Sequence, residues 1–181
     1  VRENIIELIA SSGARLENEV SMYLNSEISK ITNANEVFEA LAKGFSRYKD
    51  ILDQSNVSSG PALVDILDKL MRMDVVAKEA PINDENNRKK SGYFISDNLS
   101  LFYYKYIFRN MSRMNIMDPD IFYDRYIADD FETKYIPKCF ERICKQYLIR
   151  KEPITESIVQ NEIRQVKQTG LECYRYGFFS R

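Results

Sequence analysis

Residues 57–97, VSSGPALVDILDKLMRMDVVAKEAPINDENNRKKSGYFISD, decide how this chain folds. Ser59 or Gly60 can cap a helix, and Pro61 stands in its first turn, where a backbone N–H has no partner to lose. The apolar residues that follow recur at helical spacing and form a stripe that we expect to be buried: Leu63, Ile66, Leu67 and Leu70. The pattern predicts a helix that ends near Met73.

The segment after this helix has the pattern of a β-hairpin. Residues 75–82, VVAKEAPI, are typical of a strand, and the polar stretch 83–92 predicts a turn. A returning strand follows, with Tyr93 and Ile95 on one face. The turn carries three consecutive cations, Arg88, Lys89 and Lys90.

Two more helices are predicted upstream of residue 57. Residues 36–44 form the first, capped by Asn33 or Asn35, with an apolar face of Val37, Phe38 and Leu41. Residues 46–56 form the second, with Tyr48, Ile51 and Leu52 turned inward. Three helices followed by a hairpin predict a winged helix-turn-helix, which we place at residues 33–100.

The flanking segments are predicted to be helical. Residues 1–32 supply linker helices, the second of them beginning near Arg15, and the aromatic block 98–108 predicts a buried helix, since large rings usually pack in interiors. Another helix, at about 138–149, carries an apolar stripe made of Phe140, Ile143, Cys144, Tyr147 and Leu148. The expected fold class is mainly α with a small β-hairpin, an α+β chain.

Composition excludes several classes of site. The 181 residues contain no histidine, which removes histidine-based triads, histidine zinc sites and imidazole acid–base catalysis. A formal charge of −1 argues against a general polyanion binder. Three cysteines without a CxxC pair fit a reducing cytoplasm, and no apolar run reaches the ~20 residues that span a bilayer. The chain begins with Val, so we expect a segment of a longer polypeptide.

The exposed face of the helix after Pro61 is the first candidate contact surface. Its candidate contact residues, together with the hairpin cations, are Ser58, Ser59, Lys69, Arg72, Arg88, Lys89 and Lys90. Asp65 and Asp68 would place negative charge near a phosphate backbone, where a helix in the major groove usually offers cations and amides. Protein docking is therefore favoured, and a DNA-binding transcriptional regulator stays open as the alternative.

No other pattern predicts a cofactor or metal site in this chain. Cys139 and Cys144 lie five apart on one helix, which is poor geometry for a shared metal. No glycine-rich phosphate loop is present. The remaining candidate is a carboxylate cluster that lacks a calcium-binding loop and that we interpret as a solvated face: Asp118, Asp120, Asp124, Asp129 and Asp130.

Several stretches together resemble one family, the prokaryotic AAA/STAND-type P-loop ATPases. The stretches are GARLENEVSMYL, EVFEALAKGFSRYKDI, LVDILDKLMRMDVVAKEAPI, KKSGYFISDNLSLFYYKYIF and CFERICKQYL. The most specific part is the hairpin return, where the family pattern G-x-Y-x-I-x-D-x-x-x-x-F-W/Y is matched by Gly92, Tyr93, Ile95, Asp97, Phe102 and Tyr103.

The resemblance implies the following organisation. Residues 1–32 would end the lid of an ATPase domain, residues 33–100 would form the winged helix, and residues 101–181 would begin a domain similar to PD-(D/E)xK nucleases. Glu141 is the catalytic candidate, but the other metal-binding residues would lie beyond residue 181, and a lone carboxylate holds Mg²⁺ weakly. The segment itself would then be no enzyme and hold no cofactor, with ATP and Mg²⁺ bound elsewhere in the longer protein.

The expected partners follow from this organisation. They are the ATPase domain of the same protein and, in the alternative, double-stranded DNA. The helix at 138–149 would present its apolar stripe without a covering sheet, so a homodimer through it is a further expectation.

Overall fold

A computed structural model describes residues 1–19, 22–23, 31–79 and 91–151, except for the side chains of residue 145 and residues 148–151. The described chain forms two compact units, residues 1–127 and residues 128–151. The domain limits expected near residues 32 and 100 stay predictions.

In its described part, the first unit has seven α-helices with known bounds and one antiparallel pair of strands. The helices are α1 (Arg2–Leu8), α2 (Ala34–Ala42), α3 (Tyr48–Gln54), α4 (Gly60–Arg72), α5 (Asn98–Phe102), α6 (Met111–Met114) and α7 (Pro119–Tyr126). The strands are β1 (Val76–Glu79) and β2 (Gly92–Ile95). Between α5 and α6 the chain makes a π-helical turn, Tyr103–Ile107, and a 3₁₀ turn, Phe108–Asn110. The expected mainly helical α+β fold class is confirmed.

Helix α4 forms as its sequence predicts. The Ser59 hydroxyl oxygen accepts a hydrogen bond from the Ala62 N–H at 3.4 Å, and the four residues of the predicted stripe are all buried. The helix ends at a left-handed residue, Asp74, with φ of 56°. Its N–H donates to the Met71 carbonyl, and the Val75 N–H donates to the Leu70 carbonyl, which is the Schellman arrangement.

Helix α2 begins at Asn33, but the predicted side-chain cap is wrong. Asn33 has a left-handed backbone, φ 64°, and its side chain makes no capping hydrogen bond. Its amide nitrogen donates instead to the Asn56 carbonyl, 3.3 Å away. This contact ties the start of α2 to the turn between α3 and α4. The predicted apolar face of α2 is buried as expected.

The two strands pair with Val76 opposite Ile95 and Glu79 opposite Gly92. The segment between α2 and α3 adds a backbone contact, because the Tyr93 N–H donates to the Ser46 carbonyl at 2.8 Å. A Cβ on Gly92 would lie 3.1 Å from the Cβ of Ser46, so glycine permits this close approach. The polar tip of the predicted hairpin, residues 80–90, lies outside the described residues.

The aromatic block is helical and buried, as the sequence predicts. Tyr104 stacks on Phe38 of α2, with ring centroids 4.7 Å apart and planes 6° apart. Its hydroxyl donates to Asn35 Oδ1 at 2.7 Å. Tyr103 and Tyr106 are buried as well. These contacts attach the π turn to α2 and exclude the block as an exposed stacking platform for bases.

Helix α1 packs on α7. After α1, the sequence predicts a second helix beginning near Arg15. Residues 15–18 form a turn instead, whereas residues 19, 22 and 23 are helical. Most of the rest of that predicted helix lies outside the described residues. The Leu16 N–H donates to the Leu8 carbonyl at 2.8 Å and so fastens this turn to the end of α1.

The second unit is helical throughout its described residues. It consists of α8 (Ala128–Asp130), a π-helical turn (Phe131–Tyr135) and α9 (Ile136–Lys151). Phe131 and Tyr135 are stacked with centroids 5.2 Å apart. On α9, Phe140 is 42% exposed and Ile143 and Tyr147 are each 57% exposed, so the predicted apolar stripe faces outward at these positions.

Candidate docking surface of helix α4

The surface of α4 opposite its buried stripe is the candidate functional site. We call it the α4 face and define it by Ser58, Val64, Asp65, Lys69 and Arg72, which are exposed, together with the half-buried Asp68. Because α4 is amphipathic, burial of one stripe against the core leaves these residues on the solvent side. The residues that the sequence places on the solvent side of this helix, Asp65, Lys69 and Arg72, are exposed in the structure.

The charges on the α4 face balance one another. Lys69 Nζ lies 2.6 Å from Asp65 Oδ2, an i,i+4 ion pair within the helix. Asp68 is half-buried beside them, and Arg72 stands in the last turn, where a cation interacts favourably with the helix dipole. Two carboxylates and two cations leave no excess positive charge for a phosphate backbone.

Serine and valine give the α4 face its other chemistry. The Ser59 hydroxyl is engaged as the helix cap, whereas Ser58 is exposed in the preceding turn. Val64 is 46% exposed one turn into the helix. An apolar side chain beside a neutral ion pair suits contact with a protein surface, since interface cores are depleted in unpaired charge.

The other site residues predicted from the sequence are the three hairpin cations and Glu141. Arg88, Lys89 and Lys90 lie outside the described residues. Glu141, the catalytic candidate, is half-buried on α9 in the second unit. Within residues 1–19, 31–79 and 91–151, no group of three or more cysteine, aspartate or glutamate side chains is placed to hold a metal ion.

Three of the carboxylates interpreted as a solvated face make specific contacts. Asp118 Oδ1 caps α7 by accepting from the N–H groups of Asp120 and Ile121, at 3.0 and 3.2 Å. Asp120 and Asp124 both bind the guanidinium group of Arg2. No sequence pattern indicates this contact, because Arg2 stands 118 residues before Asp120.

A second polar contact missed by sequence reasoning lies beside the aromatic block. Glu39 of α2 is buried, and its Oε2 accepts a hydrogen bond from Arg109 Nε at 2.9 Å, while Lys43 Nζ lies 2.8 Å from its Oε1. The hydrogen bond from Arg109 is the main reason that the pKa of Glu39 lies below its usual value. The one sign in the sequence is that Glu39 stands among the apolar residues of the run Val37–Ala42.

Comparison with known proteins places this chain near proteins of unknown function. The profile of the DUF234 family, described as archaeal and bacterial proteins of unknown function, matches residues 103–168. The chain is also 28% identical over 134 residues to an uncharacterized protein of Methanocaldococcus jannaschii. That match covers 74% of this chain and 29% of the other protein. No solved structure matches the chain.

None of the described helices combines the length and the apolar character needed to cross a bilayer.

Proposed function

We propose that this chain is a non-catalytic docking and coupling module of a larger, cytoplasmic AAA/STAND-type ATP-binding protein. In this proposal residues 33–100 are a winged helix, and the ATPase domain of the same protein is its partner. ATP and Mg²⁺ bind to that domain and not to this segment. The observation that carries the proposal is the charge-balanced α4 face with Val64 exposed on it.

The order and pairing of the elements support a winged helix. Helices α2, α3 and α4 precede the antiparallel strands β1 and β2. The backbone hydrogen bond from Tyr93 to Ser46 joins the segment between α2 and α3 to strand β2 of the hairpin. Helix α4 then holds the position that a recognition helix has in DNA-binding members of this fold class.

Two comparisons support the longer protein. The uncharacterized relative is more than three times longer than its matched part, since the match covers 29% of it. The DUF234 match, residues 103–168, falls within the segment 101–181 that the resemblance assigns to the start of a nuclease-like domain. In this proposal Glu141 is a surface residue of α9 and takes part in no metal chemistry within the segment.

Duplex binding by this chain tests the proposal against its alternative, a DNA-binding regulator. We expect no binding tighter than micromolar when a labelled duplex of arbitrary sequence is titrated and its fluorescence anisotropy is followed. Submicromolar binding with a steep salt dependence, lost on charge reversal at Lys89 and Lys90, would establish the alternative.

Coupling is tested in the longer protein. Val64→Asp places a charge on the α4 face without disturbing the core, so ATP turnover should change severalfold if the ATPase domain docks there. Ile116→Asp is the matched control, because Ile116 is 84% exposed in the turn before α7 and is not part of the α4 face. Equal turnover in wild type and both variants would argue against docking through α4.

Self-association through α9 is a separate part of the proposal. The exposed apolar residues of α9 favour a homodimer, since surfaces of this kind mark contact sites. Light scattering coupled to gel filtration should show a dimer that Ile143→Asp shifts to monomer. A monomer at every concentration would exclude it.

A further inference from the structure

One arginine holds α1 on α7 by bridging two carboxylates. Arg2 Nη1 donates to Asp120 Oδ1 at 2.6 Å, and Nη2 donates to Asp124 Oδ1 at 3.0 Å. The two aspartates stand four residues apart, so they are neighbours on one face of α7. Like charges at this spacing repel each other. A cation between them removes the repulsion and gains two charge-assisted hydrogen bonds.

Tyr123 completes the site around this guanidinium group. The carbon at the centre of the group lies 5.3 Å from the centroid of the Tyr123 ring, within the range of a cation–π contact. Arginine suits this site because its planar guanidinium group can bind two carboxylates and lie over an aromatic ring at the same time. The ammonium group of lysine is not planar and lacks this fixed arrangement of donors.

Among the described residues, the helix buries one of its own side chains, that of Ile5. A helix in a protein draws most of its stability from the packing of one face on its neighbours, and for α1 the neighbour is α7. The helical state of α1 therefore depends on its attachment to α7. The ion pairs lie at the surface, where salt screens them.

We propose that α1 is a releasable strap, fastened by Arg2 to the aspartate pair of α7. Release unfolds α1 and uncovers Asp120 and Asp124. In one respect the inference rests on the function proposed above, because α1 would there be the end of the ATPase lid. A change in the lid on nucleotide binding would then pull on the strap and alter α7.

Hydrogen exchange followed by mass spectrometry tests the strap in this chain. In Arg2→Glu the amides of residues 5–10 should exchange severalfold faster than in wild type, while those of α4 keep their rates. Arg15→Glu is the matched control, because it makes the same charge change at an exposed position of the neighbouring turn. Combining Arg2→Glu with Asp120→Arg should restore slow exchange in α1.

Salt separates an electrostatic strap from simple apolar packing. Exchange in wild-type α1 should accelerate from low salt to about 1 M, where the Debye length falls to about 3 Å, and Arg2→Glu should show no such dependence. Unchanged α1 exchange in Arg2→Glu, or no salt effect in wild type, overturns the proposal.

The longer protein distinguishes this inference from the proposed function. Nucleotide should change α1 exchange there if the strap reports the state of the ATPase domain. If nucleotide has no effect and Arg2→Glu still releases α1, the strap stands but does not report the state of the ATPase domain. The docking function of the α4 face is decided separately by ATP turnover in Val64→Asp.

Discussion

Removing the Tyr104 hydroxyl and removing its hydrogen-bond acceptor on Asn35 should lower the stability of the protein by different amounts. Tyr104 is 4% exposed, whereas its acceptor Asn35 is exposed at the start of α2. Tyr104→Phe removes the hydroxyl and leaves an amide oxygen that water can reach. Asn35→Ala removes the acceptor and leaves a hydroxyl inside the protein without its partner. Burial also raises the pKa of Tyr104, so the hydroxyl remains neutral throughout the working range of pH.

The magnitudes follow from the exposure of the two groups. A neutral hydrogen bond contributes about 0.5–1.5 kcal/mol net, so Tyr104→Phe should lower the free energy of unfolding by about 1 kcal/mol. A buried donor without a partner costs about 1–3 kcal/mol, so Asn35→Ala should lower it by about 2 kcal/mol. In the double variant no hydroxyl remains to be satisfied, and the loss should return to about 1 kcal/mol. The coupling between the two sites is then about 2 kcal/mol.

Urea unfolding followed by far-ultraviolet circular dichroism measures all four proteins. With a slope of about 2 kcal/mol per molar urea, a loss of about 1 kcal/mol lowers the midpoint by about 0.5 M. The ring stack on Phe38 is kept in both single variants and the double, so it does not contribute to the differences. An Asn35→Ala variant as stable as Tyr104→Phe, or strictly additive effects, would refute the reasoning.

Three further predictions concern single positions in the first unit. Asp74→Gly should raise the free energy of unfolding by about 0.5–1 kcal/mol, because glycine adopts the left-handed backbone at the end of α4 without steric cost. An unchanged midpoint of thermal unfolding would show that Asp74 is not strained there. Ser55→Ala should leave the free energy of unfolding unchanged or raise it by up to about 1 kcal/mol, because the buried hydroxyl oxygen has no hydrogen-bond partner within the described chain. Its control, Ser59→Ala, removes the cap of α4 and should lower the free energy of unfolding by about 0.5–1 kcal/mol. Equal losses in urea unfolding would contradict this prediction. Glu39→Gln should change how stability depends on pH, because Arg109 lowers the pKa of Glu39 from 4.5. The higher free energy of unfolding of wild type should be fully present above pH 4.5 and disappear as the pH falls through the lowered pKa. A difference in stability that persists in acid would count against the ion pair.

The apolar patterns predicted the core of this chain well. The stripe of α4 and the buried aromatic block were found because helical burial repeats over three and four residues, within reach of a short window of sequence. The antiparallel strands were found because alternation and turn composition are equally local.

The polar contacts were missed for the opposite reason. Arg109 lies 70 residues from Glu39, and no periodic pattern connects residues at that separation. The side-chain cap predicted at Asn33 was wrong for another reason. Asparagine is a favoured N-cap residue, but its side chain here donates to the carbonyl of residue 56. The α4 face was predictable as a surface, whereas its internal neutralisation by Lys69 and Asp65 depended on rotamers that spacing alone leaves open.

The π turn at residues 103–107 makes the length of this segment matter as much as its composition. The Phe108 N–H donates to the Tyr103 carbonyl, so the turn holds one residue more than an α turn. The turn absorbs this extra residue, because five residues of a π turn cover roughly the rotation that four residues of an α-helix cover. Inserting one more residue between the turn and Arg109 would instead rotate Arg109 by about 100° around the axis and turn it away from Glu39. Most conservative exchanges in the same stretch should do less harm than that one added residue.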